Sequence, residues 1–207
     1  WDIETYKSLH IFNGHADLVW CVDFSPPQIN NNYTICSGSL DKTIRIWDIE
    51  TTKQLILFKG HQHYVRSIKY GSNEKEINTI LSGSNDYSVR LWDIRSGQQI
   101  LLFNGHTNSV MAVEYSPFVI HDNIKNMCYS NVICSGSSDN TIRFWDIRSN
   151  KKELSIIKQD DGIYSIQFLQ LKRKEKKSKI NDHYNNRFPH EKQTFCPNFL
   201  KIFITIE

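Results

Sequence analysis

Along residues 43–48 the chain reads TIRIWD, with Ile44 and Ile46 set between Thr43, Arg45 and Trp47. A period of two predicts a pleated strand with one face toward a core. The pattern returns in SVRLWD (88–93) and TIRFWD (141–146). Upstream of each stands a second strand-like run, YTICSGS (33–39), NTILSGS (78–84) or NVICSGS (131–137), followed by a tight turn. Earlier again comes a segment of β-branched and aromatic residues: VWCVDF (19–24), VRSIKY (65–70) and VMAVEY (110–115). A last run, KQLILF (53–58) or QQILLF (98–103), closes the unit. Four short strands cannot bury a face alone, so the pattern also predicts that neighbouring units stack.

The unit has a period. Tryptophans followed by aspartate stand at 1, 47, 92 and 145, at intervals of 46, 45 and 53 residues. A Gly-His pair keeps step at 14–15, 60–61 and 105–106. Spacing of about 40–45 residues with both signatures points to four-stranded propeller blades. On these residues the chain resembles the WD-repeat (WD40) β-propeller family over residues 1–168. The resemblance implies an all-β fold, a partial propeller of about three complete four-stranded blades and two incomplete ones. The expected portions are 1–13, 14–58, 59–103, 104–157 and 158–168, then a basic polar insertion over 169–199 and a strand of the last incomplete blade over 200–207. The extra length in the third unit, PFVIHDNIKNMCYSN (117–131), is expected to be a surface loop. Such an arc does not close, so it reads as a fragment whose remaining blades come from missing sequence.

Composition narrows the classes. The 39% hydrophobic content supports a core. No apolar run approaches the roughly 18 residues of a spanning helix, and no signal peptide pattern opens the chain. The net charge of +3 is uneven: nine Lys/Arg against four Asp/Glu after residue 168 give that segment +5 and leave the repeats at −2. The repeats therefore lack the basic stripe of a nucleic-acid groove, and no specific nucleic acid is expected. Five cysteines show no paired spacing, and Cys36 and Cys134 occupy the place that Leu81 takes in the middle unit. That reads as a buried apolar position, with the thiol serving as a small hydrophobe. Free thiols point to a reducing compartment, so a cytoplasmic location is expected, with the nucleus as the alternative.

Each unit supplies a His, a Ser, an Asp and a Trp: His15, Ser37, Asp41 and Trp47; His61, Ser82, Asp86 and Trp92; His106, Ser135, Asp139 and Trp145. Three catalytic triads at one period in a short chain are improbable, whereas a structural network explains the repetition. The resemblance implies a hydrogen-bonded chain through these four side chains. Their chemistry suits it: the indole donates, the hydroxyl donates and accepts, the imidazole bridges and the carboxylate accepts. Either serine of each SGS, Ser37 or Ser39 in the first copy, could complete the set. No catalytic residue, metal or cofactor is expected.

Family propellers usually act as platforms, and the resemblance implies contacts through loops on the narrow face. One recurrent contact position lies five residues after the GH histidine, here Trp20, Arg66 and Met111, with Tyr164 equivalent in the decayed fourth copy. Two residues earlier stand Leu18, Tyr64 and Ser109, and beside each turn aspartate stand Leu40, Asn85 and Ser138. Packing alone would favour matching residues at these places, yet they differ in every copy, and Trp, Arg, Met and Tyr suit interface anchors. The expected function is a non-enzymatic scaffold for protein or peptide partners. The alternative is a substrate-receptor subunit of a cullin-type ubiquitin ligase. It would dock through WDIR (92–95 and 145–148), with Arg95 and Arg148 as the contacts, although the first copy reads WDIE.

After Asp146 the repeat decays: Lys158-Gln159 replaces GH, and no further WD follows. LKRKEKKSK (171–179) reads as a solvated insertion, with an import signal as the other reading. His183, His190 and Cys196 are too loosely spaced for a zinc site.

Overall fold

The computed structural model describes residues 4–5, 7–26, 33–71, 78–116, 120–122, 127–129, 131–148, 153–170 and 200–206. Trp1, Asp2, the run 171–179, His183, His190 and Cys196 lie outside them. Every regular element among the described residues is a strand. The first sheet is β1 (Val19–Phe24), β2 (Thr34–Ser39), β3 (Thr43–Asp48) and β4 (Gln54–Lys59), and the second is β5 (Val65–Tyr70), β6 (Thr79–Ser84), β7 (Val89–Asp93) and β8 (Gln98–Phe103). In the third, β9 (Val110–Tyr115) is followed by a two-stranded hairpin, β10 (Ile120–Asp122) with β11 (Met127–Tyr129). The sheet then resumes with β12 (Val132–Ser137), β13 (Thr141–Asp146) and β14 (Glu153–Lys158). Finally β15 (Ile163–Gln170) pairs with β16 (Leu200–Ile206). The three four-stranded antiparallel sheets and this partial fourth make the all-β arc of propeller blades that the repeat predicts.

Two details depart from the expectation. The long connection of the third blade is not a plain loop: within it Ile120 pairs with Tyr129, His121 with Cys128 and Asp122 with Met127 in a short antiparallel ladder. The innermost strand of the fourth copy runs two residues into the segment read as an insertion, since Leu169 and Gln170 find partners in Lys201 and Leu200.

The hairpin between the second and third strands is the same in each blade. Lys42, Tyr87 and Asn140 take left-handed backbone angles (φ 68°, 68° and 65°), and their amides donate to Ser39, Ser84 and Ser137 carbonyls. A three-residue hairpin loop ends in that conformation. The WD strand pairs with the outer strand through a β-bulge, which leaves Leu55, Ile100 and Leu154 as extra residues on β4, β8 and β14.

The cores lie between blades rather than within them. Cys36, Ile44, Ile46 and Phe58 of the first blade pack with Val65, Ile68, Tyr70, Ile80 and Trp92 of the second. Leu81, Val89, Leu91 and Phe103 then meet Val110, Val113, Tyr115, Ile133 and Trp145. Ala112, Cys134 and Ile142 meet Ile163 and Ile166. The SGS glycines allow the approach, because a Cβ on Gly38 or Gly83 would sit 2.7 Å from Val65 or Val110, and one on Gly136 closer still to Ile163. Cross-blade hydrogen bonds repeat as well: the Tyr70 hydroxyl meets Thr34 Oγ1 and that of Tyr115 meets Thr79 Oγ1, each at 2.9 Å. Cys36, Leu81 and Cys134 are all fully buried, and burial pushes the Cys36 and Cys134 thiols well above their ordinary pKa. Both thiols are packing groups in this state.

Candidate functional site

Two sets of side chains share the end of the blades where the Gly-His loop enters the innermost strand. The inner set is the repeated His-Ser-Asp-Trp group. Trp47 Nε1 donates to Ser37 Oγ at 2.8 Å, His15 Nε2 meets the same oxygen at 2.7 Å, and His15 Nδ1 meets Asp41 Oδ2 at 2.8 Å. The second blade repeats this with Trp92, Ser82, His61 and Asp86, each contact at 2.8 Å. In the third, Trp145 donates to Ser135 at 2.9 Å, and His106 lies 2.8 Å from Ser135 and from Asp139. Since the serine oxygen accepts the indole proton, its own hydrogen points at Nε2, and Nδ1–H donates to the carboxylate. The glycine before each histidine has no room for a side chain: a Cβ on Gly14, Gly60 or Gly105 would lie 2.8, 2.9 or 3.0 Å from the indole edge of Trp47, Trp92 or Trp145.

The structure separates the two serines of SGS. Ser37, Ser82 and Ser135 take the indole and imidazole, whereas Ser39, Ser84 and Ser137 donate to the Asp17, His63 and Asn108 carbonyls and so hold the entry loop. A fifth member escaped the sequence reading. Thr43 donates to Asp41 at 2.6 Å, Ser88 to Asp86 at 2.5 Å and Thr141 to Asp139 at 2.6 Å. The signal was present as a hydroxyl residue two places after every turn aspartate.

In the second and third blades electrostatics keep these groups in one charge state. Burial holds the His61 and His106 imidazoles below their ordinary pKa, against the opposing pull of Asp86 and Asp139. Burial by itself would raise the aspartates, yet hydrogen bonds from His61, Ser88 and Gln62 keep Asp86 low, and those from Thr141, Thr107 and His106 keep Asp139 low. A neutral imidazole clamped between a carboxylate and a hydroxyl that is itself engaged by an indole is a brace. No substrate-sized opening is needed to explain it.

The outer set consists of the variable residues, and a backbone device places them. The pairing of β1 with β2 shifts between Val19 and Cys21, that of β5 with β6 between Val65 and Ser67, and that of β15 with β16 between Ile163 and Ser165. In β9 the partners pass from Val110 to Ala112. Trp20, Arg66, Met111 and Tyr164 are therefore the extra residues of four equivalent β-bulges. A bulge of this kind re-aims a side chain away from the regular pleat. Trp20 is 53% exposed and Tyr164 38% exposed, while Arg66 and Met111 are half-buried. The flanking residues are joined to one another in pairs, as Leu40 N donates to Leu18 O, Asn85 N to Tyr64 O and Ser138 N to Ser109 O. Trp20, Tyr64, Arg66 and Asn85 meet at one seam: the Arg66 guanidinium lies over the Trp20 ring at 4.3 Å, and its Nε donates to Asn85 Oδ1 at 2.7 Å. Arg95 and Arg148 sit elsewhere, exposed in the turns after the WD strands, with Arg148 reaching the Asp146 carboxylate of its own turn at 3.6 Å.

The family model for the WD domain, G-beta repeat, matches residues 6–48, 52–93 and 97–146, more than half of the chain. The chain belongs to the WD-repeat family. A solved structure of U3-55K shares the fold, with a TM-score of 0.62 at 18% identity over 76% of this chain. The present chain spans 44% of the length of that one. No curated protein matches the sequence. WD repeats serve in general as non-catalytic scaffolds that bind protein partners, and three of them follow one another here between residues 6 and 146. Among the described residues no helix is long and apolar enough to cross a membrane.

Proposed function

We propose that this chain is a non-enzymatic scaffold that holds protein or peptide partners on the blade ends where Trp20, Arg66, Met111 and Tyr164 emerge, the narrow face of a propeller. The observation that supports this is the pairing of a constant device with variable contents. The same β-bulge occurs at the start of four innermost strands, and each aims a chemically different side chain off the same end. A bulge serving only to twist the strand would tolerate the same residue in every copy.

The test uses the full chain with Trp20 and Arg66 both changed to Ala. Proteins co-purifying with the parent chain are expected to be lost while the unfolding free energy stays within about 1 kcal/mol of the parent, as for two surface substitutions. A second variant, Arg95→Ala with Arg148→Ala, is expected to retain them. Unchanged capture by the first variant removes the proposal, and loss in the second instead favours docking to a ubiquitin-ligase adaptor through WDIR.

A further inference from the structure

The seam between the first two blades carries a ligand chemistry, which rests on the narrow-face reading above. The Arg66 guanidinium is held on three sides. Its face lies over the indole of Trp20 at 4.3 Å, the Tyr64 ring is 5.8 Å away, and Nε is spent on Asn85. Tyr64 is itself fixed, with its ring edge-on to His63 at 4.2 Å between centroids and its amide donating to His63 Nδ1. A planar fork stacked in this way loses little further freedom when an anion arrives.

The terminal amino groups of Arg66 have no carboxylate among the described residues. The other half-buried arginines of the blades are different: Arg45 faces Asp41, Arg90 faces Asp86 and Arg143 faces Glu153. A half-buried cation without a counter-charge is costly, and a ligand anion relieves that cost. The indole of Trp20 gives the fork an apolar face on the first blade's side. Leu18, 66% exposed, is tied to Leu40 by a main-chain hydrogen bond at the first blade's end, beside Trp20. One guanidinium balances one carboxylate, whereas a dianionic phosphate would leave one negative charge uncompensated.

We infer that the Trp20–Arg66–Asn85 cluster receives an aspartate or glutamate side chain of a partner peptide, with an apolar neighbour of that acid resting on Trp20 and Leu18. The guanidinium engages the carboxylate through its free edge, in the paired geometry that makes Arg–carboxylate contacts directional.

The experiment selects from a displayed library of random dodecapeptides against the full chain, and then measures synthetic peptides from the enriched set. The expected result is an acid beside an apolar residue. Changing that acid to its amide should weaken binding about ten-fold to the parent chain, and less than about two-fold to Arg66→Gln, as a charge-assisted bond at this residue requires. Arg66→Lys should fall between the two, because it keeps the charge and loses the fork. Equal effects of the amide change in parent and Arg66→Gln chains, or enriched peptides without an acid, overturn the inference. They leave the scaffold proposal standing if Trp20→Ala still abolishes binding. A phosphoserine replacement that binds more tightly than the acid overturns the carboxylate assignment. Absence of any peptide that depends on Trp20 overturns both readings. Since acid and amide peptides are compared on the same chain each time, a smaller folded fraction in a variant lowers both affinities alike and does not mimic the expected difference.

Discussion

Strands β1 and β5 are nearly the same strand in two settings. Val19, Val22 and Phe24 of β1 are 50%, 59% and 63% exposed, while their counterparts Val65, Ile68 and Tyr70 in β5 are 0%, 3% and 5% exposed. β9 repeats the buried case with Val110, Val113 and Tyr115. Residue type, strand length, bulge and tetrad are shared, so none of these accounts for the contrast. What differs is the sheet alongside: β5 lies against β1 and β2, and β9 against β5 and β6, while among the described residues no sheet covers the outward face of β1. Burial of a Val or Phe is worth about 1.5–3 kcal/mol. The hydrophobic energy of a WD blade therefore belongs to its seams, and its hydrogen-bonded brace belongs to the blade itself. Trp47, Trp92 and Trp145 are all buried, first blade included.

The sharpest way to break this comparison is one substitution made on both sides of it. Val65→Asp places a charge in the first seam and should cost more than about 4 kcal/mol, whereas Val19→Asp should stay within about 0.5 kcal/mol. Urea unfolding of the two variants measures both, and equal losses would show that the outward face of β1 is covered in solution.

A second expectation concerns the brace. The His61 and His106 imidazoles titrate below their ordinary value in the folded chain, so in the interval beneath about pH 6.5 the unfolded chain takes up protons that the folded chain refuses. Their stabilising contribution is complete above that value and is lost as the pH falls. The lowered Asp86 and Asp139 extend the loss below about pH 4. The melting temperature should therefore drop between about pH 7.5 and pH 5.5, and a flat profile would mean that the imidazoles are not held neutral.

The smallest effect is at the hairpin turns. Tyr87 is exposed and left-handed, so Tyr87→Gly should stabilise by about 0.5 kcal/mol, relieved strain less the added chain entropy. Asn140→Gly should gain less, since Asn already tolerates that conformation. Thermal unfolding of both variants checks the order.

Much of this was legible in the sequence because the repeat is printed three times. The two-residue alternation in TIRIWD located the WD strand, and the Gly-His period located the loop that the strand braces. The partners of Trp47 were readable as types, but the choice between Ser37 and Ser39 was not. The two differ only in which loop atom each reaches, and that depends on where the chain turns at Asp17. The bulges at Trp20 and Arg66 were equally hidden: they are properties of pairing between strands, and a single strand's pattern does not encode its partner's register. The Arg66 stack was out of reach for a similar reason, since it joins residues of neighbouring blades 46 positions apart.

The extra residues on the outer strands, Leu55, Ile100 and Leu154, have their own effect at the rim. Among the described residues β4, β8 and β14 are the outer strands of their sheets, the kind of border onto which a foreign strand can template itself and extend toward a fibril. An inserted residue near the start of the strand interrupts the even spacing that such growth needs and bends the border away from a flat neighbour. An arc built to stack sideways is in this way kept from lengthening edge to edge.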